Sequence, residues 1–454
     1  MLKSKSRRFD IAGSGGLLPF PPVLFARLQF LKFMTLSSPA KRPTLHRTVL
    51  DNGLTVLVIE NTVADIVSAR LLIKAGTGRE ARSQAGLFSL LASLLTKGSH
   101  GHSSMEIAEQ VESVGASVGT DASVDYSLVS LKTVTADFET ILALVAEIVR
   151  YPSFPEAEFD LERHLTLQSL RSMKEQPFTL AFNALRAAMY GEHPYGLPGI
   201  GTEESVANLT RNDLEQAHHT FFRPDNCIMV VSGRIQPEQA IALTEKYLGD
   251  WAAPETDISA PSYPPVPTTA THAVIPQPTN QSILVLGYPT PAVHDPAYAT
   301  LKLLSTYLGN GLSSRLFVEL REKRGLAYDV SAFYPTRLSN SQFVAHMGTA
   351  PENQAIALQG LRHEIERLSQ EPLTKDELEA TKNKLLGQYA LGKQTNAQLG
   401  QLLGWYEVLG LGVEFDQVFQ DTIRAVTADQ ALAVADRYFR DPFTVVLGPD
   451  PAAM

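Results

Sequence analysis

The sequence predicts an α+β protein of two homologous domains, each a mixed sheet covered by helices, joined by a linker and closing as a clamshell. Three observations carry this. The chain has 454 residues, more than the roughly 250–300 that a single hydrophobic core supports. Strand-like and helix-like periods alternate irregularly, without the regular strand–helix repeat of a parallel α/β fold. At a constant offset of 217 residues, Glu147, Ile148, Arg150, Pro155, Leu161 and Glu162 return as Glu364, Ile365, Arg367, Pro372, Leu378 and Glu379. Six identities in sixteen positions, punctuated by the same proline, point to duplication rather than to shared helix composition. The expected division is an N-terminal extension over 1–44, a first domain over 45–250, a linker over 251–267 and a second domain over 268–454.

From Leu50 the chain reads as a strand pair, LDNGLTVLVIEN and then IVSARLLIKAG, ending in Gly76 and Gly78. A helix follows near Ala85, with Leu87, Leu90, Leu91, Leu94 and Leu95 at the spacing of a core-facing stripe and Ser89, Ser93 and Thr96 on the opposite face. Amphipathic stretches from Asp137 to Arg150 and from Glu156 to Met173 read as two more helices, and CIMVVSGRI as a strand closing near Gly233. The segment from Ala252 to Pro267, with Pro254, Pro261, Pro264, Pro265 and Pro267, reads as an extended linker. Two related domains joined this way enclose a shared space, and ligand sites favour such interfaces.

Composition narrows the function classes. A hydrophobic content of 44% with 19% charged residues is that of an ordinary globular protein. The 39 basic and 48 acidic residues give a net charge of −9 without long single-sign blocks, which argues against nucleic acid as a partner. The single cysteine, Cys227, excludes an intrachain disulfide and a cysteine-ligated metal. At the start of the chain, Lys3, Lys5, Arg7 and Arg8 precede an apolar stretch from Leu17 to Met34, but Pro19, Pro21, Pro22, Arg27 and Lys32 break it. It is too short and too interrupted to span a membrane and lacks a clean signal-cleavage pattern. The favoured reading starts translation at Met34; an organelle transit peptide is the alternative, which sets a cytoplasmic against an organellar location.

Several short motifs then carry a resemblance: NGL at 52–54, HPYG at 193–196, Gly201 with Thr202, LT and DL within 209–214, Pro224 with Asn226, SSRLF at 313–317, LREKRGLAY at 320–328, Gly348-Thr349 with Pro351-Glu352, and AVT at 425–427. In their order and spacing the chain resembles the insulinase, pitrilysin and mitochondrial processing peptidase family of inverted zinc peptidases, over nearly everything from residue 45 onward. The resemblance implies an H-x-x-E-H helix, two histidines one turn apart holding zinc and a glutamate acting as base. Here those places fall on Ser89, Ala92 and Ser93, and the third ligand position, 76 residues beyond Ser93, is Ser169. Hydroxyls are poor substitutes for imidazole and carboxylate on zinc, and alanine accepts no proton. No other H-x-x-E-H occurs among the eleven histidines. His100 and His102 sit in a loop-like GSHGHSS, His218 and His219 are adjacent and so point apart on a helix, and His193 belongs to a turn; metal binding is not expected at any of them.

The resemblance also implies a role for Arg321 and Tyr328, which match an arginine and tyrosine that bind the substrate backbone near the scissile bond. A guanidinium fork and a phenol hold a peptide carbonyl and stabilise charge developing on it; the competing reading makes Arg321 part of a solvated helix face and Tyr328 a core residue. The expectation is a zinc-less, non-catalytic subunit that binds unfolded peptides in a chamber shared with a zinc-bearing homologous partner, the cofactor residing in that partner. The alternative is a non-enzymatic structural or peptide-binding protein, like the family's relatives in respiratory complexes. An independent peptidase is disfavoured, since Cys227 lies in a strand-like run and no G-x-S-x-G elbow occurs.

Overall fold

The computed structural model describes residues 44–449; the expected extension over 1–44 lies outside them but for its last residue. The first half runs β1 (Leu45–Val49), β2 (Thr55–Glu60), β3 (Val67–Ile73), α1 (Leu87–Leu95), α2 (Ser104–Ser113), β4 (Ser117–Ala122), β5 (Ser127–Thr133), α3 (Phe138–Arg150), α4 (Glu156–Met173), α5 (Pro177–Tyr190), α6 (Glu203–Asn208), α7 (Arg211–Phe221), β6 (Cys227–Gly233) and α8 (Pro237–Leu248). The second runs β7 (His272–Pro276), β8 (Ser282–Thr290), α9 (Tyr298–Gly309), β9 (Asp329–Phe333), β10 (Ser341–Thr349), α10 (Gln354–Glu366), α11 (Lys375–Leu391), α12 (Asn396–Val408), α13 (Phe415–Ala425), α14 (Ala428–Tyr438) and β11 (Phe443–Gly448). From Thr44 onward these elements form one compact unit.

The sheets show the duplication. The first has the order β1-β2-β6-β3-β5-β4 and the second β7-β11-β8-β10-β9. Without β1 the orders correspond strand for strand, and so do the directions: β2 with β6 and β7 with β11 are parallel, the other pairs antiparallel. Helix starts repeat as well. Thr210 with Asp213 and Thr427 with Gln430, again 217 apart, close reciprocal caps on α7 and α14.

One sequence expectation needs correction. The runs read as a strand pair are both strands, but β2 and β3 do not pair; β6 lies between them, and β1, ahead of Leu50, is the partner that closes the hairpin on β2. Burial explains the arrangement. All seven residues of β6 are buried, and a strand apolar on both faces belongs in the interior of a sheet.

The segment over 251–267, between α8 and β7, carries no helix or strand and is tied down. Arg223 donates to the carbonyls of Pro254 and Thr256, Arg79 to that of Ser259, and Tyr263 stacks on His193 at 4.5 Å. The two halves also exchange helices. α5 of the first half packs on β8 and β11 of the second, where Ala181, Leu185 and Met189 share a core with Val285, Phe443 and Val445. α12 of the second half packs on β3 and β6 of the first, bringing Leu403 and Tyr406 against Leu72 and Val230. Gly404 permits the close approach: a Cβ there would stand 2.5 Å from Leu72 Cδ1 and 2.8 Å from Val230 Cγ2.

Candidate functional site

α1 is positioned by its leucines and by its N-terminus. Leu87, Leu90, Leu91, Leu94 and Leu95 are buried. Gly86 before the helix takes φ +95°, a conformation that disfavours any side chain. The Glu80 carboxylate, 5% exposed, accepts from the backbone N–H groups of Gly86 at 2.8 Å and Phe88 at 2.7 Å. An acid belongs at this electropositive helix end; burial nevertheless pushes its pKa up to about 8, against the downward pull of those two N–H groups. Thr120 on β4 donates to the Ala92 carbonyl at 2.6 Å, and Lys97, just past the helix, pairs with Glu162 on α4 at 3.0 Å.

Ser89 and Ser93 lie half-buried one turn apart on α1, with the Ala92 side chain buried beside them. α4 packs on α1 and carries Ser169, exposed, in its last turns. The Ser93 hydroxyl donates to the Leu90 carbonyl at 2.9 Å and the Ser169 hydroxyl to the Leu165 carbonyl at 2.9 Å, each folded back on its own helix. This donor set does not fit zinc: it offers no imidazole, thiolate or carboxylate. Among the described residues no group of three His, Cys, Asp or Glu could hold a metal ion.

The loop after α1 explains the repeated glutamate. Glu147 Oε1 accepts from Ser99 Oγ at 2.5 Å, from the Gly101 N–H at 2.9 Å and lies 3.1 Å from His102 Nδ1. In the second half its counterpart Glu364 accepts from Arg315 Nε at 2.8 Å, holding the segment after α9. His100 stacks on Tyr151 instead, so the two loop histidines are used separately. His218 sets Nε2 2.7 Å from the Val149 carbonyl, and burial lowers its pKa to about 4. His193 accepts from the Tyr195 N–H at 3.1 Å.

Arg321 and Tyr328 sit apart from this packing. Arg321 is exposed on a π-helical turn, Phe317–Glu322, its guanidinium 5.0 Å from the Phe317 ring centre. Tyr328 is 57% exposed, so the core reading of this residue fails. Its backbone N–H donates to the Gly348 carbonyl at 2.9 Å, which fixes it at the start of β9, an edge strand. The next residue, Asp329, lies 3.7 Å from His346 Nδ1, and His346 packs at 4.7 Å on Phe178 near the start of α5, the helix that follows α4. The starts of β9 and α5 are thus joined by a short run of side-chain contacts.

A family model described as insulinase (peptidase family M16) matches residues 55–203, and one described as peptidase M16 inactive domain matches 208–385. The chain belongs to the M16 peptidase family. Among its relatives, the uncharacterized zinc protease YmxG of Bacillus subtilis is 24% identical over 406 residues, covering 89% of this chain and 98% of the relative. The uncharacterized zinc protease ML0855 of Mycobacterium leprae is 27% identical over 414 residues, covering 89% and 91%. Among solved structures, a protease from Helicobacter pylori superposes with a TM-score of 0.85 at 25% identity, covering 90% of this chain and all of that one. A peptidase M16 inactive domain from Pseudomonas fluorescens gives 0.82 at 25% identity, covering 89% and 98%. On α1 this M16 chain carries Ser89, Ala92 and Ser93, none of which offers an imidazole, thiolate or carboxylate.

Proposed function

We propose that this M16 chain is the zinc-less subunit of a two-chain metallopeptidase, holding unfolded peptide in a chamber shared with a homologous partner that carries the zinc. Arg321 and Tyr328 bind the peptide carbonyl, and Ser89, Ala92, Ser93 and Ser169 mark a metal site that has lost its ligands. The observation that carries the reading is the contrast between the two sets. The α1 and α4 positions offer only hydroxyls turned onto their own helices and a methyl group, whereas the Arg321 and Tyr328 side chains are exposed, with no hydrogen-bond partner among the described residues. The outer edge of β4, beside α1, is unpaired among the described residues and offers backbone groups to an extended peptide. A cytoplasmic setting suits a chain whose one cysteine can form no intrachain disulfide. No helix among the described residues is long and apolar enough to cross a membrane.

The test is co-expression with a zinc-bearing homologue and assay of peptide cleavage by the pair and by each chain. Arg321→Ala and Tyr328→Phe in this chain are expected to lower cleavage by the pair by about 10²-fold, the cost of removing a donor to developing oxyanion charge. Unchanged cleavage by the double variant would refute the carbonyl-binding role.

A further inference from the structure

α12 packs on β3 and β6, and beside it, where β5 and β4 continue the first sheet, a cavity of about 510 Å³ opens between strands and helix. This size lies within the range of ligand pockets. Its lining includes Arg70 from β3, Asp121 from β4, Tyr126 and Leu128 at the start of β5, and Gln401 and Trp405 from α12. Arg70 is half-buried, and its guanidinium makes one hydrogen bond, 3.3 Å to the carbonyl of its neighbour Ala69. Among the described residues no carboxylate oxygen comes within 4.0 Å of it. Burial lowers its pKa, with no acid raising it again. Gln401 donates from Nε2 to the Tyr126 hydroxyl at 2.9 Å, while its Oε1 is buried without a hydrogen-bond partner.

A partly buried cation and a buried bare acceptor are both costly until a ligand supplies their complements. The guanidinium fork matches a carboxylate in two-point geometry, and the Gln401 oxygen requires an N–H. A carboxylate on a short stem beside an amide offers both. Trp405 and Leu128 provide apolar walls for the stem. Asp121, exposed at the rim, repels a second acid and so selects one carboxylate over an acidic run.

We propose that this cavity is a subsite for a single carboxylate, delivered by a glutamate or aspartate side chain of a bound peptide. The peptide source rests on the reading of the chain as a peptide-holding subunit; the carboxylate chemistry does not.

The chain has two tryptophans, so Trp251→Phe leaves Trp405 as an internal fluorescent reporter at the cavity. The full chain carrying that change is titrated with a peptide holding one glutamate among neutral residues, with its glutamine and lysine counterparts, and with free glutarate. The glutamate peptide is expected to shift Trp405 emission and to bind about ten-fold or more tightly than the glutamine peptide, as a charge-assisted pair commands. Arg70→Gln should abolish that preference, leaving the glutamine peptide's affinity and the circular dichroism spectrum unchanged. Arg70→Lys, which keeps the charge without the fork, should retain part of the preference and serves if the glutamine variant fails to fold. Equal affinity for the glutamate and glutamine peptides overturns the carboxylate subsite while leaving peptide holding intact. Glutarate binding that depends on Arg70, with no peptide bound at any composition, supports the subsite and overturns peptide holding.

Discussion

Installing ligands at Ser89, Ser93 and Ser169 tests the proposal that the α1 and α4 positions correspond to one metal site. Ser89→His and Ser93→His place two imidazoles one helical turn apart, where Cβ atoms are about 5–6 Å from each other, within reach of one ion at Zn–N distances of about 2.0–2.1 Å. Both positions are half-buried and carry no packing of the leucine stripe, so the metal-free variant should lose no more than about 1 kcal/mol. With free zinc at about 100 times its dissociation constant, ligand linkage should raise stability by about 2.7 kcal/mol. Adding Ser169→Glu supplies a third ligand from α4, which packs on α1, and should tighten zinc at least about ten-fold, equivalent to 1.4 kcal/mol. The measurements are chelator competition and urea unfolding with and without zinc, for the two-histidine and three-ligand variants. Equal zinc affinity in the two would show that position 169 does not face the pair on α1, and the assignment of the degenerate site would fall.

Tyr195→Phe keeps the ring but removes a hydroxyl that donates to Asp125 at 2.5 Å and accepts from the Ser339 N–H at 3.3 Å, between the halves. The expected loss is about 2–3 kcal/mol by urea unfolding, shrinking to well under half in an Asp125→Asn background; an undiminished loss there refutes the coupling. Burial raises the Asp125 carboxyl above its ordinary range, so the folded state binds this proton more tightly than the unfolded one. This group's contribution to stability therefore declines as pH rises from its unfolded pKa of about 3.9 through the raised folded value. The difference in unfolding free energy between wild type and Asp125→Asn should change with pH across that window; a flat difference contradicts the assignment. Glu147→Ala strips the loop after α1 of its acceptor and should cost about 2–3 kcal/mol, with faster amide exchange at Gly101 as the local readout.

What was legible in the sequence was local or repeated. The leucine stripe gave α1, and α4 runs from Glu156 to Met173 as its periodicity indicates. The repeat was readable because its residues do corresponding work: Glu147 and Glu364 each hold the segment after the equivalent helix. Partners set at long range were not legible. That β6 lies between β2 and β3 depends on pairing Thr55 with Ile228, and nothing near either residue signals it. The helix exchange was equally silent, although Gly400 and Gly404, four apart on α12, form a small-residue face suited to close contact with a sheet. Arg70 did leave a trace. A lone arginine inside the apolar run VSARLLI, with buried residues on both sides, marks a charge that the first sheet turns toward a cavity.

The same contacts show what holds α1 in the M16 fold of this chain. α1 is held by buried leucines, by Glu80 at its N-terminus, by the Thr120 hydroxyl on the Ala92 carbonyl and by Lys97 on Glu162. The Ser89, Ser93 and Ser169 side chains enter none of these, and the Ala92 methyl fills space that many small groups would fill. The contacts that hold α1 are therefore carried by atoms other than the serine hydroxyls of the proposed degenerate site. The same reasoning applied to Arg321 and Tyr328 gives the opposite result. Both side chains are largely exposed, so packing supplies little reason for a guanidinium and a phenol at those places. Their five N–H donors and one O–H suit a carbonyl oxygen brought by another chain, a use that stability alone does not require.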